Sequence, residues 1–392
     1  MPLPLSFDPP RRLLLGPGPS DCHPSVLRAM AAPLLGHLDP AFVGLMSNLQ
    51  DLLRQAFQTK NRLSLAISAT GMAGMECTLV NLLEPGDKAV ICAAGYFGQR
   101  MVEVAGRAGA KVTTLSVPWG QVFDLNQIRE VLQSVRPKVL GIVHAETSTG
   151  ALQPMAELGK LCHEFDALLV MDAVTSLGCV ELDVDGWEID AVFSCSQKGL
   201  SCPPGLSPVS FSERSAEVIR NRKTPCQSWY LDLGLLMKYW GQDRFYHHTA
   251  PITMNYALFE GLRLVIEEGL QTRWQRHKLH HTALRAGLES LGFQYATQPD
   301  AILPQLNAIW IPKGLEDLPV RKAMLEDYGI EIGAGLGDFR GKIWRIGLMG
   351  YNARRDVVVQ VLSALGTVLK RQGHTCDIAL ALEASDATYP KA

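Results

Sequence analysis

The sequence lacks most of what marks a membrane, nucleic-acid or metal protein. No apolar run reaches the roughly 20 residues needed to cross a bilayer. Charged residues are only 19% of the chain and nearly cancel, leaving a net charge of −2. No basic stripe or block of like charge is present to engage nucleic acid or an anionic membrane. Nine cysteines are dispersed without a CxxC pair. Such an odd set, with Cys92, Cys179 and Cys195 in apolar context, reads as reduced thiols in a cytosolic compartment. His277, His280 and His281 have helical spacing for a metal, but Arg273, Arg276 and Lys278 surround them. A solvated basic face is the better reading, and no metal is expected. There is no Walker lysine loop, and Gly333-Ala-Gly-Leu-Gly337 lacks the third glycine of GxGxxG, which disfavours a nicotinamide dehydrogenase. Met1 to Pro10 has neither the charged region nor the apolar core of a secretion signal. The chain closes on Tyr389-Pro-Lys-Ala392 rather than a Ser-Lys-Leu peroxisomal address, so the expectation is a cytoplasmic protein.

What is present is a core. Hydrophobic residues make up 47% of 392, which suits one large domain plus a smaller one. Apolar strand-like runs at 63–68, 88–92, 111–116, 138–143, 167–171 and 190–193 alternate with helical stretches at 71–83, 96–109, 124–135 and 154–165. That alternation predicts an α/β fold with a mostly parallel sheet covered by helices. One long helix is predicted from Met254 to about Arg276. Helices at 279–291 and 319–328 then alternate with strands at 306–311, 329–332 and 343–348, an α+β pattern. From Arg371 onward the composition turns polar and small, which predicts disorder. The expected division is an extended arm over 1–20, a large domain over 21–265, a small C-terminal domain over 266–370 and a tail over 371–392.

Four stretches carry chemistry. Asp190 to Phe193 reads as a buried strand that breaks into Ser194-Cys-Ser-Gln-Lys198, placing Lys198 past a strand's carboxyl end, where α/β sheets bind ligands. Asp172 ends the preceding apolar run, 26 residues earlier, and projects from the same edge. It reads either as a helix cap for Val174 or as a semi-buried carboxylate in need of a partner. Pyridoxal phosphate requires such a pair: a lysine to form the Schiff base and a carboxylate to keep the pyridine nitrogen protonated. Ala69-Thr-Gly-Met-Ala-Gly74 joins a strand to a helix; it is either a close-packed turn or a phosphate site. Arg345, inside the apolar strand Trp344-Arg-Ile-Gly347, wants a planar anion, either an internal carboxylate or a substrate's. Gly16-Pro-Gly-Pro19 is a linker or a backbone brought close to a ligand.

In order along the chain, Gly16-Pro-Gly-Pro-Ser20, Gly71-Met-Ala-Gly-Met-Glu76, Leu83-Glu-Pro-Gly-Asp87, His144-Ala-Glu-Thr-Ser-Thr-Gly150, Asp172 with Ser176-Leu-Gly178, Ser196-Gln-Lys198, Tyr246-His-His-Thr249 and Arg345-Ile-Gly347 resemble the alanine–glyoxylate / serine–pyruvate aminotransferases. These are class V, fold-type I enzymes that use pyridoxal 5'-phosphate, and the resemblance spans about residues 11 to 370. It implies that Lys198 is the Schiff-base lysine and proton carrier, and that Asp172 pairs with the pyridinium nitrogen. It implies that Gly71, Met72 and Gln197 hold the phosphate, that Thr147 contacts the ring side, and that Phe97 stacks on the ring. Arg345, with Gly18 nearby, is implied to bind the substrate carboxylate. Tyr246 and Thr249 are implied to reach the phosphate of a neighbouring subunit, hence a homodimer with shared active sites. Met72 and Phe97 stand where the animal enzymes have His and Trp; stacking survives with Phe.

The expected reaction is transfer of an amino group from alanine or serine to glyoxylate, giving pyruvate or hydroxypyruvate and glycine. Two alternatives stand beside it. A cysteine desulfurase of the same fold would need a nucleophilic thiol, for which Cys202 and Cys226 are candidates by position only. The other is a pyridoxal-phosphate-binding protein without catalysis.

Overall fold

The computed structural model describes residues 7–241 and 244–390. The chain opens with β1 (Leu13–Leu15), α1 (Pro24–Met30) and α2 (Pro40–Phe57). Strand and helix then alternate through β2 (Leu63–Ile67), α3 (Gly71–Leu82), β3 (Lys88–Ala93), α4 (Tyr96–Arg107), β4 (Lys111–Ser116), α5 (Leu125–Val135) and β5 (Val139–Val143). A small hairpin, β6 (Ala145–Glu146) with β7 (Ala151–Leu152), precedes α6 (Leu158–Glu164), β8 (Leu168–Asp172), β9 (Ala191–Phe193) and β10 (Ser207–Phe211). Four helices follow: α7 (Glu213–Arg220), α8 (Leu233–Trp240), α9 (Ile252–Glu268) and α10 (Leu270–Ser290). The chain finishes with β11 (Leu306–Trp310), α11 (Asp317–Tyr328), β12 (Ile330–Ala334), β13 (Ile343–Gly347), α12 (Arg355–Arg371) and α13 (Ile378–Asp386).

Seven strands form the large sheet in the order β2-β10-β9-β8-β5-β3-β4. Only β10 runs against the others within it. β5, β8, β9 and β10 are buried at every position, as strands covered on both faces must be, whereas β4 at the edge is largely accessible. Register sets the site. Asp172 pairs with Val143 on one side and Phe193 on the other, so β5, β8 and β9 end level. Their three following loops therefore leave one edge together. The second sheet, in the order β1-β12-β13-β11, has its own apolar core with Leu15, Trp344 and residues of α10 and α12. The N-terminal segment belongs to it, because Leu13 to Leu15 pair in parallel with Ile330 to Ile332. Residues 1–6 of the expected arm lie outside the described residues.

Three expectations are corrected. The helix predicted from Met254 to Arg276 breaks at Gly269, whose φ of 83° caps α9, and α10 then runs on past Leu279. The tail is not disordered throughout. Asp377 caps α13 through the Leu380 amide, Ala381 is buried, and the Tyr389 hydroxyl meets His280 Nδ1 at 2.9 Å. A short apolar face on α10 and α12 ordered what composition alone suggested was loose; residues 391–392 lie outside the described residues. The face of α10 expected to be solvated is also covered. Arg273, His277, His280 and His281 are buried, because α10 passes between the loops of the large sheet and the small sheet. His277 Nδ1 meets the Arg273 carbonyl while its Nε2 accepts from the Gly350 amide, and His281 Nδ1 meets Asn307.

Candidate active site

The edge formed by β5, β8 and β9 encloses a cavity of about 290 Å³. Lys198, five residues beyond β9, points into it and is only 6% exposed. Its Nζ donates to Thr147 Oγ1 and Thr175 Oγ1, each at 2.8 Å, and the two hydroxyls hydrogen-bond each other. The glycine–proline segment is no loose linker. Ser20 Oγ donates to the Lys198 carbonyl at 2.8 Å, and a Cβ on Gly18 would lie 3.0 Å from Lys198 Cε. Gly18 has a φ of 114°, so both backbone and space favour glycine there. Burial lowers the Lys198 pKa, opposed by Cys195, Asp172 and Glu146 and reinforced by Arg345.

Asp172 closes β8 at the back of the same cavity and is 3% exposed. Its Oδ1 accepts from the Val174 amide at 2.8 Å, but a turn and not a helix follows, so the cavity reading and not the helix cap is the arrangement adopted. Burial pushes its carboxyl up to about 7, against the pull of the Val174 amide and Lys198. A carboxyl so placed ionises readily once a cation is set against it.

At the mouth lies the start of α3. Thr70 makes no side-chain cap there, so first-turn amides are left for another acceptor. Gly71 permits close approach: a Cβ would come within 2.9 Å of Cys195 Cβ. Gln197 lines the cavity with its Oε1 buried and unpartnered among the described residues. Uncapped amides and the positive end of the helix dipole suit an anionic oxygen-rich group, to which the Gln197 side chain can turn its amide N–H donors.

Arg345 enters from β13, is 4% exposed, and spends Nε on the Ala334 carbonyl (2.8 Å) and Nη1 on the Thr147 carbonyl (3.0 Å). It has no ion pair among the described residues, so the internal salt bridge is not the arrangement adopted. Burial lowers its pKa to about 10, partly countered by Glu146. Phe97, in the first turn of α4, brings its ring centroid to 5.5 Å from Lys198 Nζ. That turn is gripped on both sides: Tyr96 N–H donates to Ser148 Oγ and Gly98 N–H to Glu146 Oε2.

Gly18, Gly71, Met72, Phe97, Thr147, Asp172, Gln197, Lys198 and Arg345 thus meet at one cavity. Tyr246 and Thr249 do not: both are exposed, their hydroxyls 3.5 Å apart. Sequence reasoning missed Thr175, Glu146 and Ser148. The signal was the level ending of the strands, which puts any polar residue just past Val143 or Asp172 on the working edge.

Comparison with known proteins agrees with this layout. Residues 29–359 match the family model for class-V aminotransferases. A crystal structure of alanine–glyoxylate aminotransferase from Nostoc sp. superposes with a TM-score of 0.93 at 51% identity, over 94% of this chain and 98% of that one. A crystal structure of ureidoglycine–glyoxylate aminotransferase from Bacillus subtilis gives 0.97 at 42% identity, over 98% of this chain and 100% of the other. The alanine–glyoxylate aminotransferase of Oryctolagus cuniculus is 40% identical over 92% of this chain and 93% of its own length. With the family model and the fold in agreement, the chain belongs to the class-V aminotransferases, fold-type I enzymes whose cofactor is pyridoxal phosphate.

Proposed function

We propose that this aminotransferase moves the amino group of alanine, or of serine, to glyoxylate, releasing pyruvate or hydroxypyruvate and glycine. The observation that carries the reading is the convergence of Lys198, Asp172 and Arg345, from β9, β8 and β13, on one small cavity. Pyridoxal phosphate, when bound, supplies an aldehyde that exchanges amines and a protonated ring that takes up the electrons of a substrate carbanion. The residues present fit it. The Lys198 amine suits the aldehyde, Asp172 the ring nitrogen, Phe97 and Thr147 the ring. The start of α3 at Gly71 and Met72, with the N–H donors of the Gln197 side-chain amide, suits the phosphate.

The chain's own groups then divide the work. Arg345 Nη2, with its neighbours tied to carbonyls, holds the substrate carboxylate and fixes which bond at Cα faces Lys198. Lys198, its pKa lowered by burial, is placed to take the proton from Cα and carry it across the cavity. Asp172 would stay ionised against the cationic ring nitrogen and would hold that nitrogen's proton. Gly18 and the flanking prolines close the site over the Lys198 stem and exclude water.

Glyoxylate as acceptor is common to the names of the relatives described above. For the donor, the cavity lining includes apolar Leu336 and Pro17 and favours a short side chain. The ureidoglycine donor of the Bacillus subtilis relative is the second reading, favoured by that structure's TM-score of 0.97. A panel of alanine, serine and (S)-ureidoglycine against glyoxylate and pyruvate decides. Alanine or serine should give the higher kcat/KM, and ureidoglycine leading the panel overturns the donor assignment. Lys198→Ala should abolish turnover while leaving the fold intact, and retained turnover sinks the whole reading. A desulfurase finds little support. The Cys202 thiol is buried, donates to the Leu200 and Ala257 carbonyls and has its pKa pushed up by burial, and neither it nor Cys226 lines the cavity.

The assembly we propose is a homodimer in which Tyr246 and Thr249 complete the partner's phosphate site. Leu34, Leu38, Trp229, Phe245 and Tyr246 are exposed, more large apolar side chains than a solvated surface needs. The His37 and Tyr246 rings, 5.3 Å apart, join the 34–38 loop to this set. Nine free thiols suit a reducing, cytoplasmic setting, and no helix of the described residues is long and apolar enough to cross a membrane.

A further inference from the structure

We infer that Thr175 is a catalytic residue, whose hydroxyl shares with that of Thr147 the task of aiming the Lys198 amine into the cavity. The inference rests on the reading of Lys198 as the cofactor-linked amine.

The Thr175 hydroxyl lies in a dry place. Thr175 is 1% exposed, three residues past the end of β8. Valine would fill the same space without burying a polar atom, and a buried hydroxyl is costly unless bonded. Here its partners are Lys198 Nζ at 2.8 Å and Thr147 Oγ1. Its backbone is fixed from the other sheet: Gln305 Nε2 donates to the Thr175 carbonyl at 2.7 Å, and Leu348 N–H donates to the Gln305 carbonyl at 2.9 Å. The hydroxyl is therefore held at the seam of the two sheets, opposite Thr147, whose carbonyl braces Arg345.

Counting protons shows what two hydroxyls do that one cannot. A neutral lysine amine has two N–H bonds and one lone pair. Thr147 and Thr175 lie together on one side of Nζ and both accept from it, which turns the other side of the amine to the cavity. With Thr147 alone, the amine turns about its Cε–Nζ bond and its lone pair samples other staggered positions. When Nζ has gained a proton it has three N–H bonds. The same two acceptors hold two of them, and the third faces the cavity, ready to be given back. One cradle thus aims the amine in both protonation states. The ionisable groups around Nζ are Asp172 from β8, Glu146 from β6, Arg345 from β13 and the Cys195 thiol on its own loop. None of them supplies this alignment, since the hydrogen bonds Nζ donates go to the two threonines.

The test uses cofactor-free protein in four forms beside wild type: Thr175→Val, Thr175→Ala, Thr175→Ser and Lys198→Ala. Two quantities are read across pH. One is the rate of covalent pyridoxal phosphate capture, followed by absorbance. The other is the acetylation of Lys198 by limiting acetic anhydride, read by peptide mass. Thr175→Val and Thr175→Ala should each slow capture about tenfold, the worth of one such hydrogen bond. Both should also lower the pH midpoint of Lys198 acetylation, because a hydroxyl accepting from an ammonium favours the charged form. Thr175→Ser should restore rate and midpoint together. Thermal unfolding identifies a variant that is merely misfolded, and the alanine variant decides if the valine variant fails to fold. Wild-type rate and midpoint in both the valine and alanine variants overturn the inference. So does a serine variant as slow as the valine one, because that marks a steric role. Covalent capture by Lys198→Ala, in contrast, overturns the reading of Lys198 itself.

Discussion

Two clusters of buried charge flank the loop that carries Lys198, and they are built on opposite rules. Around Glu268 every charged group is paired. Arg273 donates to the Gly178 carbonyl (2.8 Å), the Gly199 carbonyl (2.6 Å) and Glu268 (2.6 Å). Arg276 binds both Glu268 oxygens and the Gly350 and Ala353 carbonyls. Burial alone would raise the Glu268 carboxyl, but Arg276 and Arg273 hold it below the usual range. In the cavity, Arg345 has no carboxylate among the described residues, Asp172 is pushed up to about 7, and Gln197 Oε1 is orphaned. A saturated cluster acts as a strut and an unsaturated one waits for a ligand. The two touch at Gly199, beside Lys198, so the strut steadies the loop that the site depends on.

Emptying each cluster in turn breaks the comparison. Arg345→Leu should lower kcat/KM for the amino donor on the order of 100- to 1,000-fold, the cost of truncating a buried charge partner. Thermal stability should hold or rise, because a buried guanidinium without a counter-ion is removed. A large loss of stability with kinetics preserved would reverse the assignment. Arg273→Ala should do the opposite. Chemical denaturation should show a loss of about 1–3 kcal/mol, since the Gly178 and Gly199 carbonyls lose their donor while Glu268 keeps Arg276. Added Glu268→Ala should cost less than its own single effect, because the pair is coupled.

The smallest effect is one of pH, and it sharpens the contrast. Without cofactor, folded Asp172 keeps its proton to about pH 7, against 3.8 ordinarily. The folded chain binds more protons across that window. Its contribution to stability is therefore full below pH 4 and is lost as pH rises through 7. The unfolding free energy of cofactor-free wild type, less that of Asp172→Asn, should fall by at most about 1.4 kcal/mol per pH unit there. Glu268→Gln should give no such fall, since its carboxyl is displaced the other way. A flat difference for Asp172 contradicts the burial ascribed to it.

Much of the site was legible because buried parallel strands announce their ends. Asp172 after Leu168 to Met171, and Lys198 after Ala191 to Phe193, could be placed on one edge from the run of apolar residues alone. The resemblance added Gln197, Phe97 and Thr147, which composition does not single out, and turned the Gly71 turn from one of two readings into a phosphate site. What stayed hidden depends on segments that meet only in three dimensions. Thr175 joins Lys198 across 23 residues and Gln305 across 130, and a lone threonine gives no local sign of either. The histidines of α10 looked solvated because nothing in their own stretch shows that a second sheet and α13 cover them. The tail misled for the same reason, its order coming from α10 and α12 rather than from its own composition.

The central claim is that Lys198 is the amine to which pyridoxal phosphate is joined. It is tested most directly by reducing the holoenzyme with borohydride, digesting it and mapping the added pyridoxyl mass. The account predicts that mass on Lys198 alone; finding it on another lysine, or on none, contradicts the account.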